Sequence, residues 1–113
     1  MTPRRLVRNK NFLKACRTKC PDKLRRCISS ASKDEIDTLS ECALNLYKGN
    51  IPVGKNTVKR LRPYQKQLKE LGQRKVSIKK RKRILQKGGF LPILASIATT
   101  LISELLAKQW PIK

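Results

Sequence analysis

The feature that most restricts the fold is a change of chemistry across one pair of glycines. Lys79-Lys80-Arg81-Lys82-Arg83 is an unbroken cationic run, and Gly88-Gly89 stands shortly after it. From Phe90 to Ser103 there is then no charged side chain. Glycine has no Cβ and readily takes the positive φ that closes a helix, so the pair stops one helix and turns the chain. Pro92 suits the first turn of a new helix and not the interior of an old one. Ser77 to Trp110 therefore reads as a basic helix, a hinge and an apolar helix.

Charge sets the next constraint. The 113 residues hold 28 Lys and Arg against 7 Asp and Glu, a net +21. Self-repulsion at that charge opposes an ordinary compact domain unless an anion neutralises it. With aromatics at 4%, few large side chains are available to fill a core. Such a chain is expected to bind nucleic acid or an acidic membrane surface, and to fold more fully when it does.

The acids concentrate in one place. Ser32 with Glu35 three residues on is a capping box, and Asp34, Glu35 and Asp37 match the positive end of a helix dipole. Ile36, Leu39, Ala43 and Leu46 recur at helical spacing, so Ser32 to Lys48 reads as an amphipathic helix stopped by Gly49-Asn50. Its acids suit scaffolding and not phosphate contact. Upstream, Leu6, Phe12, Leu13 and Cys16 form a short stripe, and Pro21-Asp22 opens a helix with Leu24, Cys27 and Ile28 on one face. Downstream, Val58, Leu61, Tyr64, Leu68 and Leu71 form another stripe, which Pro63 interrupts and Gly72 ends. Ser77 can cap the basic helix. The expected fold is all-α: a small helical region over 1–72, a basic arm and Gly-Gly hinge over 73–89, and an apolar C-terminal helix over 90–113.

From Lys55 to Lys87 only Glu70 opposes the cations. Phosphate binding needs charges that reach backbone oxygens and displace condensed counterions. The candidates are Lys55, Lys59, Arg60, Arg62, Lys66, Arg74, Lys75, Lys79, Lys80, Arg81, Lys82, Arg83 and Lys87. Tyr64 is the one aromatic in this stretch, which disfavours base stacking and sequence readout. Double-stranded DNA, held without sequence preference, is the expected partner. The run KKRKR also satisfies a simple nuclear-import pattern.

As a helix, Phe90 to Ala107 would be ~27 Å long against a ~30 Å hydrocarbon layer. Its apolar positions are Phe90, Leu91, Ile93, Leu94, Ile97, Leu101, Ile102, Leu105 and Leu106, with Trp110 placed as an interfacial anchor. Ser96, Thr99, Thr100 and Ser103 form a weakly polar stripe, and Thr99, Ser103 and Ala107 repeat small residues every four, an interval that lets helices approach closely in a membrane. Length leaves three roles open: a packed core helix, a self-associating one, or one that contacts membrane.

Cys16, Cys20, Cys27 and Cys42 are spaced too irregularly for a four-thiolate zinc site, and histidine is absent. Free thiols in an intracellular, reducing setting are expected, since Met1-Thr2-Pro3-Arg4-Arg5 leads into charged residues and not an apolar run. No metal or cofactor is expected. Without histidine, no nucleophile–base pair can be assembled, so an enzyme is not expected.

Arg83 to Pro92, Arg-Ile-Leu-Gln-Lys-Gly-Gly-Phe-Leu-Pro, followed by an apolar helix, resembles the C-terminal half of adenovirus core protein X, the mu precursor. The wider match, over residues 10–107, is to the adenovirus-core-like proteins of adintoviruses and Maverick/Polinton elements. It includes Glu41-Cys42-Ala43-Leu44-Asn45 and Gly49-Asn50-Ile51-Pro52. The resemblance implies a virion protein that packages and condenses DNA in the host nucleus alongside other virion proteins. It also implies a viral cysteine protease that cuts after Gly-Gly, here between Gly89 and Phe90, with Gly88 preceding the bond. Gln86 stands where that protease's substrates carry Met, Leu or Ile. The alternative expectation is a membrane-active minor virion protein, and a third is a host nuclear regulator recruited from a transposon.

Overall fold

The computed structural model describes residues 3–18, 20–51, 53–73, 75–87 and 89–109, with side chains from Arg4 to Ser103. Helices α1 (Pro3–Arg8), α2 (Lys10–Ala15), α3 (Pro21–Ser29) and α4 (Lys33–Tyr47) are followed by α5 (Lys55–Leu61), α6 (Gln65–Leu71), α7 (Ile78–Lys87) and α8 (Leu91–Gln109). No strand occurs among the described residues, so the fold is all-α, as the sequence periodicity predicts.

α4 is the common support, since α6, α7 and α8 all pack against it. Its start follows the sequence: Ser32 Oγ accepts from the Glu35 N–H at 3.2 Å, and Glu35 Oε1 accepts from the Ser32 N–H at 2.8 Å. These reciprocal bonds satisfy donors that a bare helix end leaves orphaned. At its far end Gly49 takes φ +77°, the Gly49 N–H donates to Leu46 O, and the Asn50 N–H donates to Asn45 O. That pair of bonds is a Schellman turn, and the positive φ is why a glycine stands there. Ile36, Leu39 and Ala43 are buried as expected, together with Thr38, Ser40 and Cys42. Neighbours on several sides make its buried face wider than a single stripe.

Pro63 has no N–H to continue an α-helical ladder, and a 3₁₀ turn over Arg62–Tyr64 separates α5 from α6. Leu61, Leu68 and Leu71 are buried. Val58, expected on the same face, is instead exposed. α5 is a two-turn helix packed chiefly on the turn that follows it. Gly72 ends α6 where a Cβ would lie 2.7 Å from Leu44 Cβ, so its small size sets the α6–α4 approach.

Ser77 Oγ accepts from the Lys80 N–H at 3.2 Å and opens α7. Gly89 takes φ +71°, and α8 departs from α7 at 105°. Phe90 seals this corner, its ring 5.5 Å from that of Tyr64. Beyond it Leu91, Leu94, Ala95, Ala98 and Ile102 are buried, with α8 lying on α1, α2 and α4.

One core cluster takes side chains from Leu6 through Leu71 and Leu85 to Ile102. The expected divisions at 72/73 and 89/90 therefore do not coincide with gaps in the packing. The Cα radius of gyration, 13.5 Å, is that of an ordinary folded domain of this length. Compaction at +21 is made tolerable by where the acids sit, as follows.

Candidate nucleic-acid interface

α4 carries Asp34, Glu35, Asp37 and Glu41, and the cations nearest the core converge on it. Arg8 forks onto Asp34, with Nε–Oδ2 at 3.1 Å and Nη2–Oδ1 at 2.9 Å. Asn9 Nδ2 donates to the same carboxylate at 3.0 Å and to Thr38 Oγ1 at 2.9 Å. The Arg8 bonds, then the Asn9 bond, hold the Asp34 carboxyl below the usual carboxylate range. Arg5 pairs with Asp34 and with Glu41. Asp37 accepts from Lys33 Nζ and from Arg81 Nη1, each at 2.9 Å. The acidic helix is thus an internal counter-charge.

Arg81 corrects the simplest view of the cationic run. It was expected on the phosphate-binding surface, yet it is 8% exposed. Besides Asp37 it bonds Gln73 O through Nη2 at 2.8 Å. Every face of α7 is cationic in sequence, but a helix packed on α3, α4 and α6 must turn one side inward, and Arg81 lies on that side with Leu85. Lys82 is half-buried, its Nζ donating to Ser29 O at 3.0 Å.

The other candidates lie outward. Lys79, Lys80, Arg83 and Lys87 are exposed on α7; Lys55, Lys59 and Arg60 on α5; Arg62 in the 3₁₀ turn; Lys66 on α6; and Lys75 in the link to α7. Arg74 lies outside the described residues, as do Gly88 of the expected cleavage site and Trp110. Gly89 is exposed, but Phe90, across the expected scissile bond, is buried. Of the apolar positions, Phe90, Leu91, Leu94 and Ile102 are buried, and Ile93, Ile97 and Leu101 pack half-buried against the core. The side chains of Leu105 and Leu106 lie beyond the described ones. Among the described residues no single helix is long and apolar enough to cross a membrane. α7 and α8 together reach that length as a bent pair, with the cationic run on one limb.

Two cations that sequence reasoning did not select belong to the same surface. Gln86 Nε2 donates to Arg25 O at 3.1 Å and to Ser29 Oγ at 2.8 Å, which with Lys82 clamps α7 along α3. α3 presents Arg25 and Arg26 there, both exposed, while its Lys23 lies toward α2 with Lys14 and Arg17. Its hydrophobic stripe was visible in the sequence; its place beside α7 was not. Gln86, off-pattern as a protease residue, here has a structural role.

Tyr64 packs on Phe90 and is half-buried. Of the thiols, Cys16 and Cys42 are buried, Cys27 is half-buried and Cys20 exposed, with Cys16 Sγ 3.7 Å from Cys27 Sγ. Burial pushes the Cys42 thiol up to about 12 and raises those of Cys16 and Cys27 as well. Among the described residues no three His, Cys, Asp or Glu side chains gather as a metal site. No protein-family model, curated protein or solved structure matches the chain.

Proposed function

We propose that this is a nonenzymatic protein that binds double-stranded DNA through its phosphate backbone, without sequence preference, and condenses it. One observation carries this: Asp34, Asp37 and Glu41 of α4 are paired with Arg5, Arg8, Lys33 and Arg81, which leaves Lys79, Lys80, Arg83 and Lys87 of α7 beside Arg25 and Arg26 of α3 on one outward surface. Lys and Arg reach phosphate oxygens and release counterions, whereas base readout needs groups aimed at groove edges or stacking rings. Tyr64 is engaged with Phe90 instead. Association with a virion and its nuclear assembly draws on the resemblance at Arg83 to Pro92 and, more widely, over residues 10–107.

The membrane-active alternative would draw on the same α8 side chains that fill the core, so insertion would require the fold to open. That cost favours DNA. Six phosphate contacts from α7 and α3 give a slope of log affinity against log salt of about −5. The test is the variant Lys79→Gln/Lys80→Gln/Arg83→Gln, which spares Arg81; it should reduce that slope by about 3 on duplexes of any sequence. An unchanged slope would place the binding surface elsewhere.

A further inference from the structure

We propose that a groove between α2 and α8 is a second phosphate-binding site, through which one molecule holds a second DNA duplex. This rests on the DNA binding proposed above and goes beyond the α7–α3 surface. The groove holds about 320 Å³, room for a backbone phosphate. Lys10, Lys14 and Arg17 form one wall, and Ser96, Thr100 and Ser103 stand on the other. Lys10 and Lys14, at i and i+4, share one face of α2, and Arg17 follows in the turn after it. That face is distinct from the one carrying Phe12, Leu13 and Cys16, which are buried.

The chemistry of the two walls suits one ligand. Amines and guanidinium supply charge, and hydroxyls supply neutral donors, the pair of groups that proteins commonly direct at DNA phosphates. Thr100 Oγ1 now donates to Ser96 O at 2.9 Å and Ser103 Oγ to Thr99 O at 3.2 Å. Rotation about χ1 exchanges such a back-bond for a phosphate oxygen, with no change of backbone. Among the described residues no acidic side chain lines the groove.

Geometry separates this site from the first. α8 leaves α7 at 105°, so the hydroxyl wall runs along a different axis from the cationic run. Duplex DNA is stiff over ~150 bp, and a segment lying along α7 does not bend back within one protein diameter to follow α8. The groove is therefore left for another segment, and a molecule occupied at both sites is a cross-link.

The test uses the full chain with two short duplexes carrying different fluorophores. Lys10→Gln/Lys14→Gln/Arg17→Gln should leave affinity for a single duplex, and its salt slope, within about twofold of the parent, while energy transfer between duplexes falls at least tenfold. Ser96→Ala/Thr100→Val/Ser103→Ala, which keeps every charge, should reduce the transfer severalfold, and it decides the matter if the first variant does not fold. Undiminished transfer in both variants overturns the second site. So does an equal loss of slope on a single duplex, which would mean one continuous surface. Retained transfer with lost binding to phosphatidylserine vesicles would assign the groove to lipid and also overturn it. Failure of the parent protein to bind any duplex would instead refute the function on which this site rests.

Discussion

Arg81 reaches out of the middle of a five-cation run to place Nη1 2.9 Å from Oδ1 of Asp37, 44 residues earlier in the chain. The contact joins the most basic helix to the most acidic one and removes one cation from the binding surface. It also explains how a densely cationic helix can be docked at all, since the inward face of α7 meets a carboxylate.

Removing either partner should therefore be a folding lesion before it is a binding one. Asp37→Asn and Arg81→Gln are each expected to cost about 2–3 kcal/mol, because a poorly exposed charge loses its partner. Chemical denaturation reads the loss directly. DNA affinity per folded molecule should stay within about twofold, in contrast to Lys80→Gln.

Ser32→Ala should lower stability by about 1 kcal/mol through loss of the α4 cap, with the salt slope of DNA binding unchanged. A variant that folds but loses its slope would mean that α4 touches DNA.

Cutting the chain after Gly89 should unfold both products. Phe90, Leu91 and Leu94 are buried against helices on the other side of that bond. Circular dichroism of a fragment ending at Gly89 is expected to show large loss of helix without DNA. Native-like helix in that fragment would restore two independently folding parts. For the same reason a protease should cut Gly89–Phe90 in the intact fold slowly, at a rate that rises with denaturant.

Stability should fall at both ends of the pH range. The Asp34 carboxyl is held low by Arg8 and Asn9, so its contribution is complete above the unfolded carboxylate value and is lost as pH drops through the folded one. The Cys42 thiol is pushed up to about 12, so its burial costs nothing below the unfolded thiol value near 9. Between 9 and about 12 the unfolded chain sheds a proton that the folded chain keeps, and stability declines. Replacing Cys42 by Ala should remove that alkaline arm while creating a small cavity.

Local signals were legible in the sequence where one element fixes its own geometry. The Ser32–Glu35 box, the Gly49 stop, the Pro63 break and the Ser77 cap all act within a few residues, and each is found. What could not be read was which neighbours a helix meets. Lys79 and Arg81 are chemically similar and two residues apart, yet one is exposed and the other buried, because α7 has a side that faces Asp37. Likewise the stripe Ser96, Thr99, Thr100 and Ser103 suggested close helix pairing. Its actual neighbours, Lys10, Lys14 and Arg17, come from the far end of the sequence.

Because α8 covers α1 and α2, these helices cannot be buried until the chain has been made through Ile102. Synthesis adds residues at ~5–20 per second, so for several seconds Leu6 and Leu13 lack their partners. During that interval the basic residues of α1 to α3 pass ribosomal RNA, itself a dense array of phosphates. The nascent chain's first electrostatic partner is then RNA.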